Sequence, residues 1–204
     1  MTKKNYNNLN FILPILTIIV YLWSIINPHD YFVWLLETAP SFIGLALMIL
    51  TRNKFPLSTS LYNIIFIHMI VLAIGGHYTY AEMPLFNYFK EAFNLSRNNY
   101  DKIGHFFQGV TPTLLMREII LRKTNLKNSI FVSIFSATTA LSFSALYEIF
   151  EWIIAISTDS GEDFIGTQGD IWDTQKDMLT AFMGSFFTLT FFTKIHDKSL
   201  SKLK

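Results

Sequence analysis

Three pairs of ionisable residues recur at helical spacing. Asp101 and His105 are four apart, Glu148 and Glu151 three apart, and Asp173 and Asp177 four apart. Steps of three and four put both members of a pair on one helix face. Asp170 lies just upstream of the third pair, and His77 closes the apolar run that begins at Leu57. Carboxylates grouped with imidazoles suit a divalent cation, and oxygen-only sets suit calcium or magnesium. The expected metal set is His77, Asp101, His105, Glu148, Glu151, Asp170, Asp173 and Asp177. The same groups serve acid–base chemistry or a proton relay, with Asp101, His105, Glu148, Glu151 and Asp173 as the expected catalytic residues. The competing expectation is structural: Asp101, His105, Glu148 and Glu151 held in an ion-pair network with Lys102 or Arg97.

Whatever positions these groups is a membrane bundle. Hydrophobic residues make up 51% of the 204, aromatics 16% and charged residues 15%, against about 25% charged in soluble domains. A hydrocarbon core about 30 Å thick needs roughly 20 apolar residues per helix. Six stretches qualify: Asn10–Ile26, Tyr31–Leu50, Leu57–Gly76, Ile103–Leu121, Ser129–Ile154 and Thr174–Ile195. The fourth is the most polar and contains Pro112. The first shows no small-residue cleavage site of a signal peptide. Between the third and fourth, Pro84–Leu95 predicts a short interfacial helix with Phe86, Phe89 and Phe93 on one face; a lid packed on the bundle is the alternative. Sequence predicts an all-α, polytopic helix bundle of six crossings, with residues 1–204 as one domain.

Charge sets the expected orientation. The chain carries 16 Lys and Arg against 15 Asp and Glu, a net charge of +1. That balance excludes a basic nucleic-acid binder. With six spans, twelve of the sixteen basic residues fall with the termini, among them Lys3, Lys4, Arg117, Arg122 and Lys204. The positive-inside rule then predicts cytoplasmic termini. Of the fifteen acids only Glu118 and Asp197 share that side. The remaining acids converge at the outer surface, which is where the paired residues lie.

Other polar residues predict less. Asp159, Glu162 and Asp163 read as solvated loop acids, and the GEDFIGTQGD stretch lacks the spacing of a calcium-binding loop. His68, alone in an apolar span, reads as a hydrogen-bonded core histidine. His29 and His196 carry no signal. Gly75, Gly76, Gly104 and Gly109 suit close helix approach. Trp152 and Trp172 mark an interfacial aromatic belt. There are no cysteines, which excludes disulfides and thiolate chemistry.

The motifs His77-Tyr-Thr-Tyr80, Tyr100-Asp-Lys-x-x-His105-Phe, Tyr147-Glu-x-x-Glu151-Trp, Gly166-Thr-Gln-Gly-Asp-x-Trp-Asp173 and Asp177-Met resemble those of the bacterial YjdF-type inner-membrane family. The resemblance covers about residues 10–195. It implies a multi-spanning protein of the bacterial cytoplasmic membrane with no established activity, and carries the motif residues over only as site positions. A more distant similarity, to VanZ-like membrane proteins, rests on Asp101 to His105 and on Asp173, Asp177 and Gly184. It departs at Glu148-x-x-Glu151, where those proteins tend to show Glu-x-x-Gln, so no role in antibiotic resistance is implied.

Three functions stay open on these residues. One is an outer-leaflet enzyme, dependent on a divalent cation, acting on a lipid or lipid-linked envelope precursor. Another is a small transporter or ion-coupled carrier with a polar path through His68, Thr138, Thr139 and Ser142. The last is a structural or partner-binding envelope protein, its acids a cation-bridged staple.

Overall fold

The computed structural model describes residues 9–158 and 166–203. Lys3, Lys4, Lys204 and the loop acids Asp159, Glu162 and Asp163 lie outside the described residues. Those described are helical or in turns, with no strand among them. The helices are α1 (Leu9–Ser24), α2 (Tyr31–Thr51), α3 (Thr59–His77), α4 (Pro84–Ala92), α5 (Tyr100–Lys123), α6 (Ile130–Ser157), α7 (Asp173–Phe187) and α8 (Thr193–Leu200). A π-helical turn, Thr188–Phe192, joins α7 to α8, and a 3-10 turn, Ser201–Leu203, follows.

Four helices are long and apolar enough to cross a membrane: α2, α3, α6 and the continuous rod Asp173–Leu203. α1 is apolar but shorter. α5 has 24 residues, about 36 Å at 1.5 Å per residue. It is long enough to span, but it carries Asp101, Lys102, Arg117, Glu118, Arg122 and Lys123. Lipid cannot solvate such groups, so α5 must be wrapped by protein. It is: α5 packs against α3, α6 and α7, while α3 also holds α1 and α2. Apolar side chains of α1, α2 and α6 cover the outside, among them Ile18, Leu50, Phe131 and Leu146.

Local chemistry starts the helices where they start. The Asp30 carboxylate accepts from Phe32 N at 2.6 Å and Val33 N at 2.9 Å, capping α2. Ser58 caps α3 through Leu61 N at 3.4 Å. These caps satisfy amides that a helix leaves open at its first turn. α5 runs on through Pro112. It meets α7 closely because Gly109 and Gly184 carry no side chain: a Cβ on Gly109 would run into the carbonyl of Ala181, and one on Gly184 into that of Phe106. Gly184, not only Gly109, is thus part of the small-residue contact. On the face toward α3, Leu61, Ile64, Val110 and Leu114 form the buried core.

α4 begins with Pro84 at its first helical position, where a missing N–H costs nothing. The Phe86–Phe89 and Phe89–Phe93 rings stack along it at 5.6 and 6.3 Å. Phe86 also meets Tyr100 at 5.3 Å, and Asn98 Nδ2 donates to Met83 O at 3.0 Å. The helix is therefore docked on the start of α5, with Leu85, Tyr88 and Phe93 left exposed.

Candidate functional site

The starts of α5 and α7 and the end of α6 meet at one end of the bundle, here termed the acidic end. Two cations organise part of it. Buried Arg97 pairs with Asp101 and Asp173 and donates to Gly166 O at 3.2 Å. Burial opposes its charge, but Asp101 and Asp173 outweigh that and hold the guanidinium above its ordinary pKa. Lys102 Nζ donates to Asp173 Oδ1 and Asp177 Oδ1, each at 2.7 Å, and lies 3.3 Å from Asp101 Oδ2. The Asp101, Asp173 and Asp177 carboxylates come within ligand range of one another, yet the space among them is served by a lysine ammonium. This half of the site is an ion-pair network.

The other half shares Asp177 with Lys102, but among the described residues no lysine or arginine pairs with Glu148. His105, Glu148 and Asp177 are buried, with ligand atoms all within 4.8 Å of one another. His105 Nε2 stands 3.6 Å from Asp177 Oδ1, and Nδ1 stands 3.6 Å from Glu148 Oε1. These gaps exceed a hydrogen bond. An ion takes one ring nitrogen, so only the Nε2–Asp177 gap approaches the separation of two ligands about 2.1 Å from a shared cation. His105 Nδ1 lies 3.0 Å from Gln108 Oε1. Donation there leaves the Nε2 lone pair toward Asp177. Glu148 Oε1 is buried and makes no hydrogen bond. Glu151, one turn on, is buried with no cation within 4.0 Å among the described residues. Glu37 of α2 is buried as well and accepts from Tyr147 Oη at 3.0 Å.

Glu37, Glu151, Asp101, His105, Tyr80 and Tyr147 enclose a pocket of about 20 Å³. One water needs roughly 10–15 Å³ of such volume. The pocket fits a water or a bare ion and no organic molecule. Its roof is set by backbone: Tyr80 sits at φ 54°, turning its ring onto Gly75 and Gly104, where Cβ atoms would collide or crowd. Gly75 and Gly104 make room for a tyrosine, whereas Gly76 and Gly109 admit a second helix.

Six carboxylates, those of Glu37, Asp101, Glu148, Glu151, Asp173 and Asp177, thus face two cations, Arg97 and Lys102. Clustered carboxylates in low dielectric repel strongly. A proton or a cation must offset the excess.

Two expected ligands are not brought in. His77 turns to the α1–α3 corner: its Nδ1 lies 3.0 Å from Ser24 O, and its ring packs on Trp23 at 4.2 Å. It fell at the right depth, but α3 rotates it away from α5. Asp170 stays at the rim, where Lys176 Nζ donates to it at 2.5 Å and Arg97 stands 3.7 Å away. The Lys176 hydrogen bond, then the Trp172 amide, hold its carboxyl below the usual range. Sequence reading does not single out Glu37, although a carboxylate inside an apolar span is itself the signal. It does name Arg97 and Lys102 with Asp101, but their other partners are Asp173 and Asp177 in place of the expected Glu148 and Glu151.

Polar groups elsewhere also resolve. His68 Nδ1 meets Thr111 Oγ1 at 3.1 Å, as a core histidine does. Thr138, Thr139 and Ser142 hydrogen-bond to carbonyls of their own helix, and Thr138 and Ser142 are exposed. They line no path inward. His196, expected to carry no signal, is fully buried in α8. Arg117 Nη1 lies 2.9 Å from its Nδ1, and Glu118 Oε2 lies 3.1 Å from its Nε2. Arginine cannot accept, so Nδ1 accepts and Nε2 carries the proton toward Glu118. Ser58 N, at 2.9 Å, and Arg122, at 2.7 Å, donate to Glu118 Oε1, and Arg117 donates to Asp197 at 2.6 Å. This is the basic end.

A family model described as "Predicted membrane protein (DUF2238)" matches residues 9–198. The chain is 42% identical over 185 residues to the protein "Inner membrane protein YjdF" of Escherichia coli (strain K12), covering 90% of this chain and 88% of that one. No solved structure matches the chain. The VanZ-like similarity gains no support from these matches.

Proposed function

The chain belongs to the DUF2238 family of predicted membrane proteins and is an integral inner-membrane protein; on that premise we propose that its acidic end is a cation-dependent catalytic centre facing away from the cytoplasm. In this reading the 204 residues form one membrane domain of six crossings with cytoplasmic termini. α1 is apolar but short for a crossing, and α5 is the least apolar. A topology reporter fused after the C-terminal residue should read as cytoplasmic.

His105, Glu148 and Asp177 would hold a divalent cation, supplying Lewis-acid polarisation of a substrate oxygen. A donor set of one imidazole and two carboxylates, all buried, fits such an ion. Glu151, beside it and with no cation within 4.0 Å among the described residues, would take and return a proton. Tyr147 orients Glu37 across the pocket. Arg97 and Lys102 position Asp101, Asp173 and Asp177 and touch no substrate. The expected substrate is a lipid or lipid-linked envelope precursor, reached from the bilayer that surrounds the bundle.

The observation that carries this reading is the buried Glu148 Oε1, which makes no hydrogen bond, beside a histidine and an aspartate at metal-ligand range. Purified wild-type protein should retain about one equivalent of divalent metal, lost together with its proton linkage in Glu148→Gln and Asp177→Asn. Equal metal content in wild type and both variants would overturn it. A carrier function finds less support, since Thr138, Thr139 and Ser142 turn back to their own helix. A purely structural role fits the Arg97–Lys102 half and leaves the Glu148–Glu151 half without a reason.

A further inference from the structure

We infer that the cleft between α2 and α6 seats one hydrocarbon chain of a lipid, its polar head presented at the acidic end. The inference rests on the catalytic reading above and names how its substrate is held.

α2 packs on α3, and α6 on α5 and α7, which leaves a cleft between α2 and α6 with α3 and α5 as its back wall. Its volume is about 580 Å³, inside the ~300–1,000 Å³ range of small-molecule sites. The wall is almost wholly apolar, with Met48, Met69, Leu72 and Leu115 among its residues. Leu47 and Phe143 form its rim and are 56% and 55% exposed. The opening is therefore sideways, into the hydrocarbon that surrounds α2 and α6. In that setting the medium that reaches the cleft is lipid.

Its length favours a long chain held end-on. Along α5 the wall runs from Gln108 to Lys123, roughly 22 Å at 1.5 Å per residue. Half of a hydrocarbon core is about 15 Å. A chain lying in the cleft would cross more than one leaflet's depth.

Its upper end reaches the chemistry. Leu72, Gln108 and Tyr147 line both the cleft and the small polar pocket, which His105 also lines. Gln108 also touches His105. A head at this end meets carboxylates that accept hydrogen bonds, so hydroxyl or amine donors on the head fit it. The opposite end offers Lys123, set over the Phe55 ring at 5.3 Å, and Arg122, already taken by Glu118 and Pro56 O. Continuity with the ion pocket selects the acidic end for the head.

Gly44 makes the cleft testable. It lines the wall, and a Cβ there meets nothing within 4 Å. Gly44→Phe therefore starts from open space and directs a ring at the cleft wall, and Gly44→Ala is the matched control. The full chain is placed in phosphatidylethanolamine–phosphatidylglycerol vesicles with a diazirine on the terminal carbon of one acyl chain. After irradiation, labels should map to Phe55 and Ile119 at the far end of the cleft. A diazirine near the head should label Leu72 and Tyr147 instead. Gly44→Phe should lower cleft labelling about tenfold, a 1.4 kcal/mol effect, and leave the lipid-facing Ile18 and Leu50 labelled as before. Gly44→Ala should match wild type.

Labels confined to the lipid-facing residues, equal labelling in Gly44→Phe, or the reverse order of head and tail each overturn the inference. The two readings fail separately. Unlabelled cleft with metal retained at His105, Glu148 and Asp177 sinks the cleft alone. A labelled cleft in protein whose metal content ignores Glu148→Gln sinks the catalytic centre, and with it the substrate role.

Discussion

The two ends of this bundle bury the same kinds of side chain and treat them differently. At the basic end Arg117, Glu118 and His196 are fully buried. Two arginines, Arg117 and Arg122, meet two carboxylates, Glu118 and Asp197, with the imidazole bridging. At the acidic end Arg97 and Lys102 pair with Asp101, Asp173 and Asp177, and among the described residues no lysine or arginine pairs with Glu37, Glu148 or Glu151. Charge inside a membrane therefore does not by itself mark a working site. The balanced cluster ties α5 to α8 and to the start of α3. The unbalanced one has a requirement that only a proton or an ion meets. Cost without internal compensation is the mark of function, since membrane-buried charges are expensive and mere stability does not call for them.

The comparison breaks most visibly at Arg117. Arg117→Leu leaves His196 and Asp197 without their guanidinium and should cost about 3–5 kcal/mol, read as a large fall in the thermal unfolding midpoint in detergent. Lys102→Met removes the matching cation from the acidic end. It should destabilise by less, about 2–3 kcal/mol, because an added divalent cation can take the ammonium's place among three carboxylates. Millimolar magnesium or calcium should restore its midpoint and do nothing for Arg117→Leu. Rescue of both variants, or of neither, would erase the distinction between the ends.

A pair of isosteric changes sharpens it. Glu118→Gln breaks the charge-assisted bonds from Arg122 and His196 and should cost about 1–3 kcal/mol. Glu148→Gln relieves repulsion and should leave the midpoint unchanged or raised in metal-free buffer, while abolishing any upward shift on adding cation. Parallel melts with and without chelator check both. The smallest effect is at the rim. The Asp170 carboxyl is held below its ordinary value by Lys176. Its contribution is present above the unfolded value of about 3.9 and fades as pH falls through the lower folded value. Wild type should exceed Asp170→Asn slightly at pH 6 and converge with it in acid.

Within single helices much of this was legible. The i,i+3 and i,i+4 spacings of Asp101–His105, Glu148–Glu151 and Asp173–Asp177 depend only on helix geometry, and the structure brings all three pairs to one end. The all-helical class followed from apolar run lengths, and the existence of α4 from Pro84; that α4 docks on the start of α5 instead of lying free in the interface was not legible. What could not be read was rotation. His77 lies at the right depth and faces α1. Glu37 sits alone in an apolar run, yet α2 turns it onto Tyr147. His196 falls beyond the last expected span, where a helix continuing through the π turn buries it.

Sequence by itself determined which groups are present, at what depth each lies and which share a face, because helix rise and turn are constant along the chain. Tertiary structure alone decided which acids Arg97 and Lys102 neutralise, which carboxylates are left over and where the cleft opens. Those outcomes depend on the rotation and contact of separate helices, set by residues such as Gly109 and Gly184 whose effect is felt only when a neighbouring backbone arrives.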